Sequence, residues 1–319
     1  MNILKIKDLN LVFNLQSGQY QALYGVDLEL TQGQTLAIVG ESGCGKTLTA
    51  MSVLKLIPNT AQITSGQILY KEENILDLPD SKMQKIRGKH IALIPQDPMT
   101  SLNPLYTIGD QLLEVINLHQ GLSGDDAKKA AIKALEKVKI PSAEERLKNY
   151  PHEFSGGMRQ RVIIAMALAC NADIIIADEP TTALDVTVQA QIMDLLNDIK
   201  KEYNTSIILI SHDLGLVAEN SDKIAVMYAG SVVEYSDNDE LFTNPKHPYT
   251  QALLNSLPEL KTQKLETIQG HPPSIKDNLK GCPFAPRCPK KMEKCEQQKP
   301  SLTAINEKSK TSCWLYEKV

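Results

Sequence analysis

The feature that most constrains the fold is a glycine-rich stretch near the N-terminus, Gly40-Glu41-Ser42-Gly43-Cys44-Gly45-Lys46-Thr47. It follows an apolar run at residues 35–39 that predicts a buried strand, and it precedes a run that predicts a helix. Glycines permit backbone conformations in which several N–H groups point at one anion, and a helix N-terminus adds positive partial charge. We call residues 40–47 the phosphate loop. In this context the pattern predicts a site for the phosphates of a nucleotide.

Individual residues of the phosphate loop have separate predicted roles. Lys46 would reach the β- and γ-phosphates of ATP, and the Thr47 hydroxyl would ligate Mg²⁺. Cys44 lies beside Lys46 and a helix N-terminus, which both favour a thiolate, so alkylation is expected to block ATP hydrolysis and Mg-ATP to protect. The alternative for Cys44 is an inert small residue. The remaining loop residues predicted to bind ATP are Gly40, Ser42, Gly43 and Gly45.

The rest of the chain alternates strand-like and helix-like segments. Short apolar or alternating runs predict strands at 3–12, 25–30, 90–95, 173–177, 206–210 and 223–228, with a strand pair at 63–70 turning at Ser65-Gly66. Helical patterns cover 108–138, with a break where Ser123 could cap the second helix, and 186–203. The predicted fold class is α/β: a mostly parallel sheet with helices on both faces, an antiparallel β part and a helical subdomain at about 97–157.

Composition excludes some functions. The chain has 319 residues, a net charge of −4 and a pI near 5.9, which argue against a broad nucleic-acid surface. The N-terminus has no signal-peptide core, and the apolar run at 162–170 is far shorter than the ~20 residues that span a bilayer. We expect a cytoplasmic protein that meets the membrane only through partners.

Two further motifs add chemistry to the phosphate loop. A predicted strand at 174–177 ends in Asp178 and Glu179; Asp178 can hold Mg²⁺ through water, and Glu179 can polarise the attacking water. Two solvent-facing carboxylates at a strand end are the alternative. Ser155-Gly156-Gly157 precedes a predicted helix and forms a second anion cradle, which an enzyme with a single self-contained site would not need.

The order of these motifs resembles the ATP-binding subunit of an ABC transporter, a P-loop NTPase, over residues 1 to about 235. The resemblance rests on the phosphate loop, Gln96, Ser155-Gly156-Gly157, Asp178-Glu179, Ala183-Leu184-Asp185 and His212. It implies an ATPase in which ATP is clamped between two head-to-tail subunits. The second cradle of one subunit would then bind the ATP held by the phosphate loop of the other.

The resemblance also implies roles for single residues. Gln96 would contact Mg²⁺ and sense the membrane subunits, Asp185 would communicate across the dimer, and His212 would hold the γ-phosphate beside the catalytic Glu179. Tyr20 is the expected adenine-stacking residue, with Phe13 as the alternative and ordinary packing open for both. The residues assigned to ATP bound by the partner subunit are Ser155, Gly156, Gly157 and Gln160.

Residues 236–319 form a predicted C-terminal extension, in which 246–254 resembles the oligopeptide/dipeptide branch of ABC importers. That branch implies a peripheral subunit at the cytoplasmic face of the membrane that powers peptide import. Its implied partners are a second ATPase (a heterodimer), two permeases and an extracytoplasmic binding protein, with no nucleic acid. A nickel or metal-chelate importer is the alternative, and a soluble ABC ATPase acting on DNA or the ribosome is a third hypothesis.

Four cysteines crowd the extension: Cys282, Cys288, Cys295 and Cys313. In a reducing compartment, clustered thiols favour a soft metal centre over disulfides. The spacing resembles the tail of dipeptide-importer ATPases, where cysteines ligate a [4Fe–4S] cluster; zinc and unmetallated thiols remain alternatives. We expect the ATP site to draw no residue from this tail, so that ATP binding survives damage to it.

Overall fold

The computed structural model describes residues 1–182, 184–256, 268–277 and 280–317. Ala183 therefore lies outside the described residues, as does part of the stretch 258–281, whose prolines and glycines predict a linker. The chain divides into two compact units. Unit 1 comprises Met1–Asp77 and Leu209–Val319, and unit 2 comprises Leu78–Ile208.

The bounds of the regular elements follow in chain order. The strands are β1 Asn2–Leu15, β2 Gly18–Thr31, β3 Thr35–Val39, β4 Ala61–Tyr70, β5 Glu73–Asn74, β6 Ile91–Ile94, β7 Ile174–Asp178, β8 Ser206–Ile210, β9 Lys223–Tyr228, β10 Ser231–Asp237, β11 Thr303–Ala304 and β12 Ser309–Thr311. The helices are α1 Lys46–Val53, α2 Asp80–Ile86, α3 Pro98–Ser101, α4 Ile108–Gln120, α5 Gly124–Lys137, α6 Ala143–Arg146, α7 Gly156–Ala169, α8 Val186–Tyr203, α9 Leu214–Asn220, α10 Asn238–Thr243, α11 Pro248–Asn255 and α12 Glu293–Gln297.

An antiparallel sheet of order β2-β1-β4-β5 forms part of unit 1. Its alternating residues bury one face, as Leu4, Ile6 and Ile68 show with exposures of 4% or less. The prediction of a strand pair turning at Ser65-Gly66 is wrong, because β4 is one continuous strand. The β1–β4 register shifts at this point, and Gly66 takes a φ of 108° against β1. A bulge produces the same serine–glycine signal as a turn.

The second part of unit 1 is built on β3, whose five residues are all buried. Strand β3 pairs parallel with β9, β9 pairs antiparallel with β10, and β10 pairs antiparallel with β12 of the extension. Glu234 on β10 is fully buried, and its carboxylate accepts hydrogen bonds from the backbone N–H groups of Lys246 and His247, each at 2.8 Å. The predicted domain boundary at 235 thus falls within β10, and the division into an ATPase domain and an extension stays a prediction.

Unit 2 combines a parallel β6–β7 pair with packed helices. Helix α4 begins with a capping box between Thr107 and Asp110 and ends at Gly121. Ser123 occupies the N-cap position of α5 as predicted, although its side chain makes no cap hydrogen bond. Helices α4, α5 and α7 bury apolar faces; α4 and α5 lie within the helical subdomain predicted at 97–157, whereas α7 lies almost entirely beyond it.

In the described parts of the chain, no helix is both long enough and apolar enough to cross a membrane.

Candidate active site

The phosphate loop connects β3 to α1 within unit 1 and depends on its glycines. Gly40, Gly43 and Gly45 have φ values of 151°, 77° and 101°, which side chains of L-residues rarely adopt. A Cβ at Gly40 would also stand 2.2 Å from the carbonyl oxygen of Met227. The loop conformation therefore requires glycine at these positions.

The Lys46 side chain lies inside the phosphate loop and is hydrogen-bonded to the loop backbone. Its ammonium is buried and donates to the carbonyl oxygens of Gly40 at 2.8 Å and Glu41 at 3.1 Å. Ser42 and Thr47 are exposed. This arrangement places a cation inside the loop, where it can exchange carbonyl oxygens for phosphate oxygens.

Cys44 differs from its prediction. The side chain is only 5% exposed, and burial raises the pKa of its thiol more than the nearby Lys46 lowers it. The expectation of a thiolate is wrong, because desolvation of a charge outweighs attraction by one neighbouring cation.

Tyr20 and His212 also belong to unit 1. Tyr20 lies on β2 opposite Phe13, is half-buried and donates its hydroxyl hydrogen to the carbonyl of Ser17 at 3.0 Å. His212 is exposed and stands between β8 and α9, one residue before the helix cap Asp213. Adenine stacking by Tyr20 and γ-phosphate binding by His212 remain predictions.

In unit 2, hydrogen bonds join the side chains of Glu179, Gln96 and Thr182 at the end of β7. Asp178 is the last, buried residue of this strand, and Glu179 follows it with a φ of 47°. One carboxylate oxygen of Glu179, Oε2, accepts from Gln96 Nε2 at 3.0 Å and from the Thr182 hydroxyl at 2.9 Å. A left-handed backbone at a glutamate is costly, and such residues concentrate at functional sites. Thr182 was missed by the sequence reasoning, although its position three residues after Glu179 could have indicated it.

The second cradle lies at the start of α7 in unit 2. Ser155 is the N-cap residue, and its hydroxyl accepts from the backbone N–H of Met158 at 3.3 Å. Ser155 and Gly156 are exposed, whereas Gln160 is 1% exposed with no hydrogen-bond partner for Nε2 among the described residues. Contact between Gln160 and a nucleotide would require this side chain to leave the interior; its assigned role stays a prediction.

Asp185 begins α8 in the same unit. Its carboxylate accepts from the backbone N–H of Val188 at 2.9 Å, as an N-cap does. Val186 beside it is 80% exposed. Asp185 therefore has a demonstrated local role, and its communication across a dimer remains a prediction.

The expectation that no tail residue reaches the phosphate loop is wrong. Arg287, next to Cys288, donates from Nη1 to both carboxylate oxygens of Glu41 at 3.1 and 2.9 Å. Tyr249 accepts from the backbone N–H of Glu41 at 3.0 Å. These contacts span more than 200 residues of sequence, and no local pattern indicates them.

The four tail cysteines line one small cavity of about 10 Å³, closed by residues that include Phe284 and Trp314. Burial raises the pKa of the Cys282 thiol to about 11, and it also raises the pKa values of Cys288 and Cys313. Within residues 1–182, 184–256, 268–277 and 280–317, no three His, Cys, Asp or Glu side chains are arranged to hold a metal ion. The four thiols thus share a location without the spacing of a metal site.

Known protein families match most of the chain. The family described as ABC transporter matches residues 23–182, and the family described as oligopeptide/dipeptide transporter, C-terminal region, matches residues 233–295. Cys313 lies beyond the second match. The first match contains the phosphate loop, Gln96, Ser155 and Glu179 but ends before Asp185 and His212, and the second contains the predicted importer segment at 246–254.

Curated relatives and solved structures agree with the families. The chain is 48% identical to the dipeptide transport ATP-binding protein DppD of Bacillus subtilis, covering 99% of this chain and 95% of the relative. It is 49% identical to the oligopeptide transport ATP-binding protein OppD of Salmonella typhimurium, covering 93% of this chain and 89% of the relative. The dimeric, post-hydrolysis structure of the ATP-binding cassette MJ0796 with ADP and Pi matches with a TM-score of 0.66 and 28% identity, over 74% of this chain and 98% of that one.

Fold and motifs together define an ABC-type ATPase, which confirms the predicted fold class and enzymatic class. The chain belongs to the ABC transporter family.

Proposed function

We propose that this chain hydrolyses ATP to power the import of di- or oligopeptides across the cytoplasmic membrane. The observation that carries the proposal is the presence, on one chain, of the ABC transporter match and the oligopeptide/dipeptide C-terminal match. Both the dipeptide and the oligopeptide relatives align over more than nine-tenths of the chain, so their names do not decide between the two peptide classes.

Each step of ATP hydrolysis can be assigned to particular residues of this chain. In unit 1, the loop N–H groups and Lys46 bind the phosphates, Thr47 ligates the metal, His212 holds the γ-phosphate, and Tyr20 stacks on adenine. In unit 2, Gln96 and Asp178 hold Mg²⁺. When it is bound with ATP, Mg²⁺ neutralises charge on the phosphates.

Glu179 would act as the general base. Hydrogen bonds from Gln96 and Thr182 fix its carboxylate, so that its orientation does not depend on the nucleotide. A fixed carboxylate can accept a proton from water aligned with the γ-phosphate. Because Gln96 is hydrogen-bonded to Glu179, any displacement of Gln96 would directly alter the orientation of the Glu179 carboxylate.

The exposed half-site supports a second ATPase as a partner. Ser155 and Gly156 present a helix N-terminus to solvent, which suits a phosphate held by another subunit. The related cassette MJ0796 is described as dimeric. We propose a second ATPase, two permeases and a binding protein as partners, with this subunit peripheral at the cytoplasmic face.

Reconstitution tests this function. The chain would be co-purified with the permeases and second ATPase encoded beside its gene and placed in vesicles with ATP at its own face. Uptake of a labelled dipeptide or oligopeptide, delivered with the binding protein, should depend on ATP and stop with Glu179→Gln. Uptake of nickel chelates without peptide uptake would replace the proposal with the metal-importer alternative.

For the tail, we propose that Cys282, Cys288, Cys295 and Cys313 ligate a [4Fe–4S] cluster. The donor set supports it, because four thiols line one cavity and thiolates are the ligands of such clusters. A cavity of about 10 Å³ has room for about one water, so the walls must open and the thiols must lose protons.

Metal analysis of anaerobically purified protein decides this point. A cluster predicts brown protein with about four iron and four sulfide per chain, released by Cys→Ser replacement at any of the four positions. Colourless protein with one zinc and no labile sulfide would support the zinc alternative. Protein that contains neither iron nor zinc would support the alternative that the four thiols bind no metal.

A further inference from the structure

The phosphate loop carries an acidic side chain that its function does not explain. Glu41 is the second residue of the loop, and a carboxylate there lies in the segment that is proposed to bind a triphosphate. Like charges at short range repel, and partial burial reduces screening by water. Unless it is neutralised, Glu41 should weaken ATP binding.

The C-terminal extension supplies that neutralisation. The Arg287 side chain is 6% exposed, and its Nη1 contacts both Glu41 oxygens and the hydroxyl of the buried Tyr228. Its Nε donates to the carbonyl of Gln269 at 3.0 Å, and Nη2 donates to that of Ile268 at 3.3 Å. Every nitrogen of the guanidinium therefore has an acceptor, and its position is fixed before a nucleotide arrives.

The same extension holds the loop backbone. Tyr249 is fully buried and accepts from the N–H of Glu41, while the carbonyl of Glu41 accepts from Lys46 at 3.1 Å. Tyr228, Tyr249 and Phe284 pack with ring centroids 4.6–5.3 Å apart, which joins these contacts to the cysteine segment. Lys46 and Arg287 thus contact opposite parts of one residue, its carbonyl and its carboxylate.

We propose that Arg287 is a positioning and charge-neutralising residue for ATP: it cancels the carboxylate of Glu41 and makes the affinity of the phosphate loop depend on the C-terminal extension. This inference rests on the proposed ATP-binding role of the loop. It does not require a metal at the cysteines.

The test measures the dissociation constant of ATP for the full chain at low salt, by displacement of a fluorescent nucleotide. Arg287→Gln should weaken binding about tenfold, the effect of one lost charge-assisted interaction. Glu41→Gln removes the repelling carboxylate and leaves the charge of Arg287 uncancelled, so it should bind ATP at least as tightly as the wild type. The double variant, Glu41→Gln with Arg287→Gln, should recover most of the lost affinity, because the repelling charge is gone.

Two further measurements separate charge from structure. Arg287→Lys keeps the charge and should stay within about threefold of the wild type, which also covers the case in which Arg287→Gln fails to fold. High salt should reduce the defect of Arg287→Gln, since screening weakens repulsion. The matched control is Lys291→Gln, because Lys291 pairs at 2.8 Å with Glu296 within the tail and should not change ATP affinity.

The outcomes are distinct. Wild-type affinity in Arg287→Gln, or a double variant or Arg287→Lys as weak as Arg287→Gln, would overturn the inference. A wild-type chain that binds no ATP would instead reject the proposed function.

Discussion

Glu179 shows how a single residue can be prepared for catalysis before its substrate binds. Its left-handed backbone and its two hydrogen-bond donors, Gln96 and Thr182, set the direction of the carboxylate. The backbone cost is offset by the surrounding structure, as it is at many active sites. What remains for the nucleotide is to bring water and the γ-phosphate to this fixed group.

Replacing Glu179 by Gln should separate binding from hydrolysis. Lys46, Thr47 and Asp178 are retained, so ATP affinity should change little, while phosphate release should fall about 10²–10⁴-fold because an amide is a poor base. With the partner ATPase, the variant should accumulate as an ATP-bound dimer on size-exclusion chromatography. The control is Glu136→Gln, an exposed carboxylate on α5; near-normal turnover in Glu179→Gln would reject Glu179 as the base.

Cys44 should react slowly with alkylating agents. Burial raises its pKa, so at pH 7.5 the thiolate fraction in the folded protein is below that of the unfolded chain and rises only at more alkaline pH. Mass spectrometry of iodoacetamide-treated protein should show several-fold slower modification in the native state than in denaturant. Cys170, also buried with its pKa raised to about 11, is the matched control, and Mg-ATP should slow only Cys44 further. Equal native and denatured rates would contradict the burial argument.

At the scale of elements, the bulge at Gly66 ties β4 to β1. A Cβ there would lie 2.5 Å from the carbonyl of Asp8, at a φ of 108°. Gly66→Ala should therefore lower the free energy of unfolding by roughly 2–4 kcal/mol, the sum of backbone strain and overpacking.

Gly18→Ala is the matched control for the bulge, because it has a φ of 134° but only side-chain atoms of Tyr20 near it, the nearest at 3.7 Å. It should cost roughly 1 kcal/mol from backbone strain alone. Thermal unfolding of both variants checks the difference. Equal losses would show that strain, and not the collision with β1, determines the need for glycine.

Elements with strong local signals could be predicted from the sequence. The bounds of α8, β8 and β9 match their periodic or apolar runs, and the phosphate loop is located by its glycines, Lys46 and Thr47 between a predicted strand and a predicted helix. The bulge at Gly66 could not be told from a turn, because only the pairing strand decides between them. Arg287 could not be assigned to Glu41, since an arginine among tail cysteines has the local signature of a solvated cation.

At the scale of the whole molecule, the acidic balance predicts behaviour toward nucleic acid. With a net charge of −4, the chain should show no measurable affinity for duplex DNA at about 150 mM salt, because few phosphates could be neutralised. Fluorescence anisotropy with labelled DNA checks this prediction. Binding to the permeases, measured separately, is the positive control that the chain can bind a partner. Salt-sensitive micromolar binding to DNA would revive the soluble-ATPase hypothesis.

The pairing of β10 with β12 has a consequence for shortened versions of the chain. Ending the polypeptide at 235 would strip the hydrogen-bonded neighbour from β10 and leave a bare sheet edge, a template for aggregation. It would also remove the N–H groups that solvate the buried Glu234, whose pKa burial already raises. A shortened ATPase that kept every nucleotide motif would then be expected to precipitate, and solubility trials should retain the chain through β12.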